Sequence, residues 1–117
     1  MGQLTTHVLD TSRGKPGAGV RLELFRIEFG SRERLTAVVT NADGRCDQPL
    51  IQNADFRIGE YELVFHVAEY FRRHSQTIEQ PPFLDSIVVR FGIADPEQHY
   101  HVPLLVTPWS YSTYRGS

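Results

Sequence analysis

Residues 60–67, Glu60-Tyr61-Glu62-Leu63-Val64-Phe65-His66-Val67, alternate with a period of two. Tyr61, Leu63, Phe65 and Val67 fall on one side, Glu60 and Glu62 on the other. That is the pattern of a strand with one face in a core and one in water. It recurs upstream. In 19–28, Val20, Leu22 and Leu24 oppose Arg21 and Glu23; in 4–9, Leu4, Thr6 and Val8 oppose Thr5, His7 and Leu9; and 35–40 (LTAVVT) gives a further strand. Ser12 to Gly17 breaks the first strand, and Asn41-Ala42-Asp43-Gly44 reads as a turn, with a short strand expected around 45–48. Downstream, 84–93 places Ile87, Val89 and Phe91 on one face, and 99–106 (HYHVPLLV) and 109–115 (WSYSTYR) supply the last two strands. Pro103 inside a strand predicts an edge or a bulge. Residues 68–74 (AEYFRRH) form the one expected helix, too short to stand without packing, and Pro81-Pro82 forbids its continuation.

Roughly seven or eight short strands in a chain of this length predict an all-β fold: one domain over 1–117, built as a two-sheet antiparallel sandwich with one short helix at about 68–74. Hydrophobic residues make up 40% of the chain and charged residues 22%, which excludes a disordered polymer. The net charge is −2, and Lys15 is the only lysine among 12 scattered basic residues, so neither a phosphate-binding surface for nucleic acid nor a polybasic membrane patch is expected. No apolar run reaches the roughly 18 residues of a membrane span. The start, MGQLTTHVLD, has neither the basic nor the apolar region of a signal peptide. A single cysteine, Cys46, rules out an intrachain disulfide and fits a reducing compartment, so a cytoplasmic location is expected.

Several residues are candidates for chemistry. His99 and His101 stand two apart on a strand and so leave the same face. Such a pair either decorates a solvated surface, supplies a general base, or, with His7 from another strand, makes a three-histidine zinc site, for which spacing alone gives no convergence. Arg45, just after Asp43-Gly44, is either a solvated residue or a planar fork for ligand oxygens. Cys46 reads as a small buried hydrophobe rather than a nucleophile. No nucleophile elbow, phosphate loop or dinucleotide fingerprint occurs. Trp109, Tyr111 and Tyr114 lie unusually near the chain end for aromatics, so the end should be tied down by packing, and a terminal edge strand invites pairing with a second chain.

At these positions the sequence resembles the 5-hydroxyisourate hydrolases, transthyretin-like enzymes of purine catabolism. The resemblance rests on Leu4-Thr5-Thr6-His7-Val8-Leu9-Asp10 with Gly14-Lys15-Pro16, on Thr40-Asn41-Ala42-Asp43-Gly44-Arg45, on His99-Tyr100-His101-Val102-Pro103-Leu104-Leu105, and on the ending Tyr111-Ser112-Thr113-Tyr114-Arg115-Gly116-Ser117. The ending separates the hydrolases from transthyretin, the hormone carrier of the same fold.

The resemblance implies two four-stranded sheets with one short helix, and a homotetramer with active sites at subunit interfaces. It implies hydrolysis of 5-hydroxyisourate to 2-oxo-4-hydroxy-4-carboxy-5-ureidoimidazoline in urate degradation, with no cofactor and no metal. The family's catalytic residues fall on His7, Arg45, His101 and Ser117, with Tyr114 and Arg115 lining or supporting the pocket. His99 matches a common family residue but not a catalytic one. Opening an acyl–nitrogen bond needs a base that titrates near neutrality and a partner for the developing oxyanion, which histidine and arginine supply. Ser117, with a hydroxyl and a terminal carboxylate, is expected to orient His101 or the water. The alternative is a non-catalytic small-molecule carrier of the transthyretin type.

Overall fold

The computed structural model describes residues 1–74 and 78–117. In chain order its elements are β1 (Gln3–Asp10), β2 (Lys15–Pro16), β3 (Arg21–Glu28), β4 (Ser31–Val39), β5 (Ile51–Gln52), β6 (Gly59–Phe65), α1 (Val67–His74), β7 (Ile87–Ile93), β8 (Tyr100–Val106) and β9 (Tyr111–Thr113). They form two sheets. One runs β4-β3-β6-β7; the other runs β2-β1-β8-β9, with β5 also paired to β1. The all-β sandwich with one short helix is thus observed.

Alternation places the core as expected. Tyr61, Leu63 and Phe65 of β6 are fully buried, as are Leu22 and Leu24 of β3 and Leu4 and Val8 of β1. Val67 is buried too, but as the first residue of α1 rather than the last of the strand. The helix buries Val67, Ala68, Tyr70 and Phe71, one face at three- and four-residue spacing. Its tie to the opposite sheet is polar: the Tyr70 hydroxyl donates to Oδ2 of the fully buried Asp10 at 2.7 Å, and Arg13 donates to Tyr70 at 3.1 Å. A buried carboxylate needs such partners.

The sheet that contains β1 has five strands, where the resemblance implies four, and three further features of pairing differ from the sequence reading. First, β1 and β8 pair in parallel, from Leu4–Tyr100 through Asp10–Val106, in an otherwise antiparallel structure. Second, the short strand expected at 45–48 is a single bridge, His7 with Arg45, and the extended pairs on that edge are β2 and β5. Third, Pro103 lies on neither an edge nor a bulge. β8 is flanked by β1 and β9, and its register with β1 is unbroken. Proline is tolerated there because its missing N–H faces β9, where the ladder is interrupted. Pairing ends at Leu104–Thr113 and resumes in the same register at His101–Gly116. The Thr113 hydroxyl takes over the Pro103 carbonyl at 2.7 Å.

The terminal aromatics also depart from expectation. Trp109, Tyr111 and Tyr114 are 61%, 46% and 62% exposed, so they are not packed within the chain. β9 is an edge strand, and among the described residues no further strand covers it.

Candidate active site

Residues paired across neighbouring strands share a face, as do residues two apart along one strand. The ladder therefore decides which candidates meet. His7 of β1 is bridged to Arg45 on the outer edge of the sheet. Two residues earlier, Thr5 pairs with His101 of β8, and His101 is bridged in turn to Gly116. Both rows project to the half-buried face opposite the core. The outcome is a pair of imidazoles with ring centroids 6.5 Å apart and planes inclined by 38°, beside the segment that carries Arg45. That separation excludes a direct bond between the rings and leaves room for a reacting atom between them.

The Arg45 segment is held by its turn. The Asn41 side chain accepts from the backbone N–H of Asp43 (2.9 Å) and of Arg45 (3.1 Å), the local chemistry for which asparagine is favoured in turns. Gly44 takes φ +76°, and its carbonyl accepts from Val8 N–H at 2.8 Å. A Cβ there would sit 2.4 Å from the Val8 carbonyl oxygen, so only glycine lets the loop lie against β1. Among the described residues no carboxylate forms an ion pair with Arg45, which leaves its guanidinium for a ligand.

The two imidazoles are held differently. His7 Nε2 lies 3.0 Å from the Asp43 carbonyl oxygen. A carbonyl only accepts, so Nε2 carries the proton and Nδ1 of the neutral ring keeps its lone pair. His101 Nδ1 lies 2.8 Å from the Thr5 hydroxyl, a group that both gives and accepts. Both histidines titrate below their ordinary value. Burial is the larger cause in each, followed by the positive charge of Arg45, and for His101 also by His7.

Ser117 is exposed and follows directly on Gly116, whose N–H donates to the His101 carbonyl (2.6 Å) and whose carbonyl accepts from His101 N–H (3.2 Å). It lines a shallow cleft with Gln3, Thr5, Gln98, His99 and Arg115. Arg115 pins this end: its guanidinium donates to Gln98 Oε1 (2.9 Å) and the His99 carbonyl (3.1 Å) and lies over the Tyr100 ring. Tyr114 borders a neighbouring depression together with Val89, Phe91, Tyr100 and Val102. His99 is exposed and precedes β8. Among the described residues no three His, Cys, Asp or Glu side chains converge as a metal site. Cys46 is half-buried, and burial pushes its thiol up to about 11, away from nucleophilic use.

Sequence reading named Thr5 only as a strand residue and missed the Asp43 carbonyl. The first is visible once the β1–β8 register is known; the second is a backbone atom with no sequence signal.

The contact at Gly116 carries a prediction. A Cβ there would lie 3.2 Å from His101 Cβ and Cδ2. Gly116→Val should therefore displace the imidazole and lower turnover by about tenfold or more, since angstrom-scale misplacement costs up to about a hundredfold. Circular dichroism should be unchanged. Full activity in this variant would separate the terminal segment from the site.

Residues 4–116 match the family model described as HIUase/Transthyretin. The chain belongs to the HIUase/transthyretin family. Among individual members, it is 55% identical to the 5-hydroxyisourate hydrolase of Pseudomonas aeruginosa over 117 residues, covering 100% of this chain and 93% of that one. The solved Klebsiella pneumoniae 5-hydroxyisourate hydrolase superposes with a TM-score of 0.82 at 33% identity, covering both chains completely (100% and 100%). Sea bream transthyretin, solved in complex with thyroxine, superposes with a TM-score of 0.86 at 30% identity, covering 97% of this chain and 94% of that one. Both branches of the HIUase/transthyretin family thus share this sandwich.

Proposed function

We propose that the chain hydrolyses 5-hydroxyisourate, a step of urate degradation. The observation that carries this reading is the 55% identity over the whole chain to a 5-hydroxyisourate hydrolase, against 30% to a thyroxine-binding transthyretin. The site supports it. A non-catalytic carrier has no use for two neutral imidazoles beside an unpaired guanidinium.

In this reading residues 1–117 form one hydrolase domain, and His7, Arg45, His101 and Ser117 make up its catalytic site. Water is deprotonated by a histidine and its oxygen bonds to the acyl carbon. Arg45 stabilises the charge that develops on the carbonyl oxygen. The acyl–nitrogen bond breaks and the leaving nitrogen takes up the proton drawn from water, with the second histidine passing on that proton or orienting the water. Every bond change is a proton transfer or an acyl transfer, so no cofactor is required. Tyr114 contributes to substrate binding, lining or supporting the same pocket with Arg115.

The working unit is a homotetramer. The uncovered Trp109, Tyr111 and Tyr114 on a terminal edge strand support association. Light scattering at micromolar concentration should return four chains; a stable, fully active monomer would overturn this. The compartment is the cytoplasm, in keeping with one free cysteine, and no helix of the described residues is long and apolar enough to cross a membrane.

Loss of absorbance of freshly made 5-hydroxyisourate, above its spontaneous decay, with and without protein, tests the reading. No acceleration would sink the hydrolase and raise the carrier.

The pH profile follows from the histidines. A base must be unprotonated, and both rings titrate below 6.5, so activity should persist through neutral pH and fall only as the pH drops below about 6.5. An acidic limb well above pH 7 would contradict the surroundings of both rings.

A further inference from the structure

The two histidines differ in what holds their protons, and the difference divides their labour. We propose that the Thr5 hydroxyl donates to His101 Nδ1 and so keeps that ring in its Nε2–H form, making His101 an uncharged hydrogen-bond donor to the developing oxyanion, while His7 alone moves the proton from water to the leaving nitrogen. This assignment rests on the hydrolase reading above.

The argument starts from the partners. The Asp43 carbonyl, 3.0 Å from His7 Nε2, fixes that proton and leaves Nδ1 basic. His7 is then the ring with a committed lone pair. Thr5 Oγ1 is 2.8 Å from His101 Nδ1, and among the described residues it has no other hydrogen-bond partner. Donation to Nδ1 uses the only hydroxyl proton that Thr5 has. In the reverse arrangement, with Nδ1–H donating, that proton turns to the solvent of the cleft that Thr5 lines and Nε2 carries no hydrogen. Thr5 is held rigidly in position, being β-branched, half-buried and directly opposite His101 in the parallel ladder. The lowered basicity of His101 agrees, because a ring that stays neutral beside Arg45 and His7 donates without carrying charge.

The step balances. Water gives a proton to His7 Nδ1 as its oxygen bonds to the acyl carbon. Arg45 and His101 Nε2–H donate to the oxyanion. The carbon–nitrogen bond then breaks, the carbonyl re-forms, and the leaving nitrogen takes the proton from His7. His101 gains and loses none. Thr5 touches no reacting atom and is a positioning residue.

The experiment is nitrogen NMR of the histidine rings together with kinetics, on the full chain. In the parent protein, His101 should carry its proton on Nε2, bound to one nitrogen only. Thr5→Val keeps the branch and volume but removes the hydroxyl. His101 should then show a mixture of tautomers, and kcat should fall about ten- to a hundredfold with KM within about threefold, as for other partners that orient a functional imidazole. Thr5→Ser should restore both. A parent ring protonated on Nδ1, or exchanging freely between tautomers, overturns the proposal without any variant. So does a folded Thr5→Val with unchanged tautomer or unchanged kcat. If the parent protein fails to accelerate 5-hydroxyisourate loss, the hydrolase reading fails instead, and the tautomer measurement still judges the Thr5–His101 bond.

Discussion

Replacing His7 by Asn should lower turnover of 5-hydroxyisourate by about two to four powers of ten, the range for loss of an acid–base group. His101→Asn should fall in the same range, because it removes a donor to the oxyanion and vacates the space beside Gly116. Asparagine keeps a polar side chain of modest size in a half-buried strand position, so folding is not expected to suffer. His99→Asn should leave turnover within about threefold, since His99 is exposed and outside the ring pair. Steady-state rates corrected for spontaneous decay decide the matter. A His99 variant as damaged as His101 would reassign the pair, and loss of activity on prolonged zinc chelation would reopen the metal reading.

Arg45→Met should cost about two to three powers of ten in kcat, the usual loss when an oxyanion partner is removed. It should also move the acidic limb upward, but only part of the way to the ordinary histidine value. Burial is the larger cause of the low basicity of His7 and His101, and it survives the substitution; the positive charge is the smaller one and does not. Arg45→Lys keeps the charge and loses the fork, so turnover should fall while the limb stays nearly in place. A limb that moves as far in the lysine variant as in the methionine variant would mean that geometry, not charge, sets the titration.

Much of the fold is legible in the residues. The alternation of Tyr61, Leu63 and Phe65 against Glu60 and Glu62 gives the core face because a strand's side chains obey a period of two whatever the partner. The helix is legible to within a residue at its start, where Val67 is apolar in either state and so marks no boundary. Whatever depends on the identity of a neighbour is not legible. Pro103 reads as an edge residue because a strand proline lacks a donor. The structure instead places that missing donor on an interior strand, at a gap in the β8–β9 ladder that Thr113 partly fills. The exposed Trp109 and Tyr111 read as packed because sequence records apolar character and not what covers it. His7, Arg45, His101 and Ser117 stand out by resemblance rather than by spacing. That Thr5 faces His101 requires the register, which no local pattern encodes.

The parallel pairing of β1 with β8 has a consequence for how the site comes into being. Thr5 and His101, bonded side chain to side chain, are 96 positions apart in the chain. Parallel neighbours cannot be closed by a hairpin, so the entropy of a loop nearly as long as the molecule must be met before the two residues meet. Contacts of such range form late and slowly. Activity therefore does not accumulate piecemeal with secondary structure. On a ribosome the β1 histidine waits for almost the whole chain to emerge, and in a refolding experiment the return of turnover marks closure of the topology itself rather than the appearance of strands.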